Sequence, residues 1–145
     1  MRFVVDASVA LKWVIEEAGS PQAVALRSAE QLLAPDLILA ECVNALWKKV
    51  RRAEIDPETC HQAARLLAQA PVEIRPTRDL VTLAMEMTFI LDHPAYDCFY
   101  LALAFSEGCA LVSADERFRL KANAKKALGI AETLTLKEAV ETLAP

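Results

Sequence analysis

Short apolar segments alternate with helix-forming segments along the whole chain, and this alternation is the feature that most constrains the fold. The segments with the length and apolar or β-branched content of strands are residues 2–6, 32–34, 72–76, 109–113 and 131–134. Strands that alternate with helices are typical of a parallel sheet with helices on both faces. The sequence therefore predicts an α/β fold, a three-layer α/β/α sandwich around a central, mainly parallel sheet.

The helix boundaries follow from capping residues and prolines. Ser8 is predicted to cap the first helix, and Thr77 to cap the fifth. Ser20-Pro21 and Asp56-Pro57 each place a capping side chain before a proline, which is typical of the first helical turn. The predicted helices are residues 8–16, 20–32, 36–52, 56–69, 77–91, 95–107, 115–126 and 135–144.

Composition limits the class of protein. The 145 residues, of which 54% are hydrophobic, suit one compact domain over 1–145 and argue against intrinsic disorder. The net charge of -4 disfavours a generally basic nucleic-acid binder, although a local basic face remains compatible with it. The acids that produce this charge need a more specific explanation.

The cysteines argue against a zinc protein, and the apolar runs argue against a secreted or membrane protein. The four cysteines lack the short spacing of a zinc site, and we interpret them as small buried side chains in a reducing compartment. The N-terminal apolar run is interrupted by Asp6 and Lys12, which is untypical of a signal peptide. With no stretch long enough to span a membrane, we expect a soluble, cytoplasmic protein.

Four carboxylates occupy positions that suggest a site. Asp6 directly follows the first strand and Asp115 follows the fourth, and ligands of open α/β sheets bind beyond the carboxyl ends of strands. Glu41 and Asp97 lie in strongly apolar helical segments, where burying an unpaired charge is costly. Helix capping is the alternative role for Asp6 and Asp115, and a favourable interaction with the helix dipole is the alternative for Asp97.

A cation would allow these four acids to lie together. Clustered carboxylates raise each other's pKa unless positive charge neutralises them, and lysines and arginines are sparse around these four. Oxygen ligands suit Mg²⁺ or Mn²⁺ rather than Zn²⁺. Such an ion at the edge of an α/β sheet is suited to phosphodiester hydrolysis.

The four segments resemble those of the PIN-domain nucleases and, among them, the VapC-type toxins of bacterial toxin–antitoxin pairs. The resemblance covers the whole chain through the motifs VVDASVALKW, APDLILAECVNALWK, HPAYDCFYLALA and LVSADERF. It implies that Asp6, Glu41, Asp97 and Asp115 are catalytic metal ligands of a Mg²⁺- or Mn²⁺-dependent endoribonuclease. It also implies an RNA substrate, a small cognate antitoxin and a homodimer.

The hypothesis for the reaction is in-line attack on an RNA phosphodiester by a water that the metal activates, leaving a 5′-phosphate and a 3′-hydroxyl. Three polar residues are candidates for accessory roles. Ser8 and Ser113 either contact metal-bound water or cap helices. Asp92 is either an accessory acid or the cap of the sixth helix.

Two basic clusters are candidates for binding the RNA backbone. The first is the end of the third helix, where helix-dipole stabilisation is the alternative explanation: Lys48, Lys49, Arg51 and Arg52. The second follows the fourth acid directly and is the preferred candidate: Arg117, Arg119, Lys121, Lys125 and Lys126.

Other functions remain as alternatives. A stand-alone PIN nuclease in RNA processing and a non-catalytic PIN binding module both fit the same motifs. Histidine acid–base catalysis is disfavoured because it needs two suitably placed histidines, whereas His61 lies in a predicted helix and His93 directly precedes Pro94. The motifs leave open the RNA target, the number of ions and the identity of the antitoxin.

Overall fold

The computed structural model describes residues 1–144 and contains five strands and eight α-helices in that range. The strands are β1 (Arg2–Val5), β2 (Gln31–Pro35), β3 (Glu73–Arg75), β4 (Ala110–Val112) and β5 (Thr133–Leu134). The helices are α1 (Ala7–Val14), α2 (Ser20–Leu26), α3 (Leu37–Arg51), α4 (Pro57–Leu67), α5 (Val81–Leu91), α6 (Ala95–Glu107), α7 (Glu116–Asn123) and α8 (Leu136–Glu141).

The five strands form one parallel sheet in the order β3-β2-β1-β4-β5. From β1 the chain moves outward through β2 to β3, and then returns to place β4 on the other side of β1. The strand order therefore reverses between β1 and β4, and ligands of open α/β sheets bind at such a point. The predicted α/β fold is confirmed, and Asp6 and Asp115 follow the two strands that flank this reversal.

Helices cover both faces of the sheet because alternate strand residues point to opposite sides. Val4, Leu33 and Leu111 contribute to the larger core, which is completed by α3, α4, α5, α6 and α7. Phe3 and Val112 contribute to the smaller core, beneath α2 and α8. The helix α1 contributes to both cores, and this arrangement gives the three layers predicted from the sequence.

Several predicted helix boundaries are wrong, each for a local reason. Asp6, not Ser8, caps α1, because the carboxylate Oδ1 accepts a hydrogen bond from the backbone N–H of Val9 (3.3 Å). The helix α2 ends at Leu26 instead of near Leu32, since residue 31 already begins β2. Thr77 opens a short 3₁₀ turn and makes no capping bond.

The predicted cap of α6 is also wrong. Asp92 ends α5 in the left-handed conformation (φ 47°), and Pro94 occupies the capping position of α6 without a side-chain bond. Aspartate tolerates this conformation better than most residues, because its short side chain can bond to nearby backbone. Asp92 therefore belongs to the turn between the two helices.

Two predictions from the sequence concern membrane-spanning helices and the cysteines. In residues 1–144 no helix is both long and apolar enough to cross a membrane. All four cysteines are free thiols; Cys42 and Cys98 are buried as predicted, whereas Cys60 and Cys109 are only partly buried.

Candidate metal and active site

The site lies at the carboxyl edge of the sheet, where β1 and β4 end side by side. Pairing of these strands extends beyond β1, since the backbone N–H of Asp6 donates to the carbonyl of Val112 (3.4 Å). The hydroxyl of Ser8 accepts from the N–H of Ala114 (3.0 Å) and so joins the two strand ends. Ser113 Oγ accepts from the N–H of Asp115 (3.0 Å). Both serines thus fix the backbone around the two acids.

Asp6 is the most buried of the four acids, with 6% of its surface exposed. Burial raises its pKa from 3.8 to about 6, although hydrogen bonds involving Ser113, Ser8 and the N–H of Val9 act in the opposite direction. Ser8 Oγ donates to Asp6 Oδ1. The negative charge of Asp97 adds to the increase in pKa. Asp6 is therefore held rigidly in a position where its own charge is unfavourable.

Glu41 is partly buried on α3 and has an oxygen without a partner. Its Oε1 atom and the hydroxyl of Tyr100 are both buried and make no hydrogen bond within residues 1–144. The pKa of Glu41 is raised from 4.5 to about 7, chiefly by burial and then by the charges of Asp97 and Asp6, while the nearby Tyr100 hydroxyl acts in the opposite direction. A buried carboxylate oxygen without a partner is costly unless a cation or a donor reaches it.

Asp97 is held by a residue that the sequence analysis disfavoured. His93 Nε2 and Asp97 Oδ2 share a hydrogen bond of 2.6 Å, and the side chain of His93 is only 12% exposed. The ring of His93 also packs against Phe118, with 4.9 Å between the centroids. His93 lies in the turn before α6 and not on a helix, so the sequence carried no helical spacing that would have indicated its contact with Asp97.

Asp115 is exposed, and its carboxylate caps α7 through the backbone N–H of Phe118 (3.0 Å). It is absent from the charges that shift the pKa of Asp6 and Glu41. The structure therefore brings Asp6, Glu41 and Asp97 within electrostatic reach of one another, with Asp115 at the rim. Across residues 1–144, no three Asp, Glu, His or Cys side chains are already close enough to hold an ion between them.

The two roles of Asp115 can be separated by substitution. Asp115→Ala removes the cap of α7 and is expected to lower the free energy of unfolding by about 1 kcal/mol, whereas Asp115→Asn preserves most of the capping. If the acid also serves catalysis, both variants lose RNA cleavage, although only the alanine variant melts at a lower temperature. Equal activity of Asp115→Asn and wild type would limit the residue to its capping role.

Asp92 lies on the surface of the turn between α5 and α6, and its carbonyl accepts from Lys121 Nζ (2.6 Å). The preferred basic cluster is thus partly engaged within the protein. Lys126 pairs with Glu132 (2.7 Å), and Arg119 is half-buried. Two residues of this basic cluster are exposed and make no ion pair in residues 1–144, namely Arg117 and Lys125.

The pattern of strand-end and helix acids can be compared with known proteins. A family model described as PIN domain matches residues 3–124 of the chain. The chain belongs to the PIN-domain family. This PIN domain is 32% identical over 114 residues to VapC ribonuclease Mb0985 of Mycobacterium bovis and to Ribonuclease VapC9 of Mycobacterium tuberculosis. Each match covers 79% of the chain and 86% of the relative, which places the PIN domain among the VapC ribonucleases.

Solved structures with the same fold include three that cover nearly the whole PIN domain. PAE2754 from Pyrobaculum aerophilum has a TM-score of 0.69 at 20% identity, covering 99% of this chain and 89% of that one. VapBC2 from Rickettsia felis, bound to a promoter DNA fragment, has a TM-score of 0.64 at 12% identity, covering 93% and 98%. VapC20 from Mycobacterium tuberculosis, described as a sarcin–ricin loop cleaving toxin, has a TM-score of 0.63 at 19% identity, covering 90% and 97%. At these identities the likeness shows the fold.

The donors of this PIN domain suit a hard divalent cation. Every candidate ligand offers carboxylate oxygen, and Glu41 Oε1 has no partner among the described residues. Both raised carboxyl pKa values follow from burial combined with like charges, and a bound cation relieves the cost of both. Oxygen-only ligation is typical of Mg²⁺ and Mn²⁺.

Proposed function

We propose that this chain is a divalent-metal-dependent endoribonuclease and the toxin of a VapBC-type toxin–antitoxin pair. The observation that carries the proposal is the convergence of Asp6, Glu41 and Asp97 where the strand order reverses. Within residues 1–144, no lysine or arginine is paired to any of the three. The ribonuclease names of the relatives support the same reaction. The metal ligands in this proposal are Asp6, Glu41, Asp97 and Asp115.

The cofactor in the proposal is Mg²⁺ or Mn²⁺. When bound, such an ion supplies Lewis acidity, lowering the pKa of a water and offsetting negative charge on the phosphate. The side chains of the protein provide the geometry. Ser8 and the N–H of Val9 hold Asp6, and His93 fixes the orientation of Asp97. These hydrogen bonds limit the reorientation of Asp6 and Asp97 when the ion and the substrate bind.

RNA is the proposed substrate, and its backbone requires positive charge beside an acidic site. Arg117 and Lys125 are exposed on the segment that follows Asp115 and are available to contact phosphates. Arg119, Lys121 and Lys126 have a weaker claim, because each is partly buried or already engaged. An RNA substrate also supports the cytoplasm as the expected location.

Two apolar surfaces are candidate binding sites for a protein partner or for a second copy of the chain. The first is a cavity of about 350 Å³ whose lining includes Trp13, Leu39, Val43 and Ile74. The second is a stripe on α5 formed by Val81, Met85 and Phe89, which are 52%, 54% and 80% exposed. Contiguous apolar surface of this kind is typical of interaction sites. We include a small antitoxin and a homodimer in the proposal, since VapBC2 of Rickettsia felis has a similar fold.

The direct test is cleavage of purified cellular RNA by the purified chain, followed by mapping of the new ends. We expect cleavage in the presence of Mg²⁺ or Mn²⁺. Cleavage should stop when EDTA is added in excess and should return when the ion is restored. New 5′-phosphate ends are expected at a limited set of sites. Cleavage that continues unchanged in EDTA would contradict the metal-dependent reaction, and intact RNA under every condition would contradict the nuclease.

A further inference from the structure

A groove beside Glu41 has a lining that the metal site does not explain. Its volume is about 510 Å³, and it is lined by Ala40, Glu41, Asn44, Ala45, Lys48 and Tyr96. On α3, Glu41, Asn44 and Lys48 follow one another at helical spacing along one face. Tyr96 enters from the first turn of α6, next to Asp97. The groove therefore includes one of the proposed catalytic acids, Glu41, and extends along α3 to Lys48.

The polar groups of this groove are available to a ligand. Asn44 makes no side-chain hydrogen bond within residues 1–144, and Lys48 makes no ion pair there. Of the neighbouring cations, Lys49 contacts Glu17 (3.2 Å) and Arg51 lies over the ring of Trp47 (5.3 Å), and neither they nor Arg52 line the groove. Lys48 is thus the positive charge at the end of α3 that lies in the groove.

Tyr96 is the second unusual feature, because 69% of its surface is exposed in the first turn of a helix whose central residues are buried. An aromatic ring exposed beside a backbone-binding cation is the combination with which proteins hold unpaired nucleotides. The rise of an α-helix places Lys48 about 10 Å along the axis from Glu41. A phosphate at Lys48 and a base on Tyr96 are therefore compatible with a neighbouring nucleotide of the strand that is cut.

We propose that this groove binds an unpaired nucleotide next to the scissile phosphate, with Tyr96 stacking on the base, Lys48 contacting a phosphate and Asn44 hydrogen-bonding the base edge. The proposal rests on the ribonuclease function proposed above and adds the segment of substrate that the chain recognises. Base pairing would hold the base in its stack, away from the tyrosine ring.

The experiment is single-turnover cleavage of a 5′-labelled single-stranded RNA oligonucleotide of mixed sequence, with protein concentration varied in Mg²⁺. Tyr96→Ala is expected to raise the half-saturating protein concentration about 5- to 100-fold, with little change in the maximal rate. Tyr96→Phe keeps the stacking ring and is expected to resemble wild type. Phe105→Ala, an exposed aromatic at the far end of α6, is the matched control and is expected to leave both quantities unchanged.

Salt dependence separates the two contacts. Lys48→Ala is expected to weaken binding and to reduce the slope of log affinity against log salt by about 0.7, the value for one phosphate contact with a single strand. Tyr96→Ala is expected to keep the wild-type slope, because stacking releases no counterion. Lys137→Ala, on α8 at the opposite face of the sheet, is the control lysine and is expected to leave the slope unchanged.

Several results would overturn the assignment. If wild type cleaves the oligonucleotide and both Tyr96→Ala and Lys48→Ala bind it equally well, the groove proposal fails while the ribonuclease stands. A duplex of the same sequence that competes as well as the single strand would also overturn it. The proposal would also fail if Tyr96→Ala bound RNA as well as wild type does but lost a protein that co-purifies with wild type. The groove would then be a protein-binding surface. If wild type cleaves no RNA, both proposals fail.

Discussion

Replacing Asp97 with asparagine is expected to lower the rate of RNA cleavage by at least about 100-fold without unfolding the protein. The substitution keeps the size of the side chain and removes the charge that links Asp97 electrostatically to Asp6 and Glu41. Removing one group that stabilises developing charge commonly costs two or three orders of magnitude in rate. The measurement is single-turnover cleavage in Mg²⁺, with the melting temperature as the test of folding.

The matched control for this variant is Asp79→Asn, an exposed aspartate in the 3₁₀ turn before α5. It changes the net charge by the same amount but lies outside the site, and its cleavage rate is expected to equal that of wild type. A folded Asp97→Asn protein that cleaves RNA as fast as the control would remove Asp97 from the catalytic group.

Replacing Glu41 with glutamine is expected to abolish cleavage and, in metal-free buffer at high pH, to stabilise the fold. The pKa of Glu41 is about 7 in the folded protein, compared with 4.5 for an ordinary glutamate, chiefly because of burial and then because of Asp97 and Asp6. The folded chain therefore holds this proton more tightly than the unfolded chain. Stability from the protonated carboxyl is fully present below about pH 4.5 and is lost as the pH rises through 7.

A shift of this size corresponds to at most about 3 kcal/mol, which partial exposure of the side chain reduces to about 1–2 kcal/mol. Urea denaturation in EDTA at about pH 8 should therefore show Glu41→Gln to be more stable than wild type by about 1–2 kcal/mol. Near pH 4 the two proteins should converge, because both then carry a neutral side chain. Glu86→Gln, exposed on α5, is the control and should show no such pH dependence.

An equal free energy of unfolding for wild type and Glu41→Gln at both pH values would mean that the carboxylate is not destabilising in the folded protein. A variant that is more stable and yet inactive would instead show that this acid is kept at the expense of stability. That combination is typical of residues retained for function.

The sequence was sufficient to predict the general location of the site because strand ends follow a strong topological rule. Asp6 and Asp115 each follow an apolar strand, and parallel strands end at one edge of a sheet. Glu41 and Asp97 stood out because a carboxylate in an apolar helix needs an explanation. These rules could not predict that β1 and β4 are neighbours in the sheet. Their pairing depends on how the chain returns to the centre of the sheet after β3.

The residues that support the acids could not be predicted as readily. His93 precedes a proline in a turn, and its contacts with Asp97 and Phe118 depend on the path of the backbone between α5 and α6. Tyr96 was not predicted as a site residue, because it lies in a segment that is strongly apolar in sequence. The exposure of a single side chain depends on which neighbouring helix covers it, and this is a property of tertiary packing.

The pairing of β1 with β4 also has a consequence for protein synthesis. Ser8 and Ala114, whose hydrogen bond joins the two strand ends, are 106 residues apart in the chain. A domain that emerges from the ribosome from its N-terminus can pair β1 with β2 early, but β4 is made much later. The four acids of the proposed site therefore come together only after β4 and Asp115 have been made. For the ribonuclease that we propose, the expected consequence is that a nascent chain cannot cleave RNA before residues 110–115 have been synthesised.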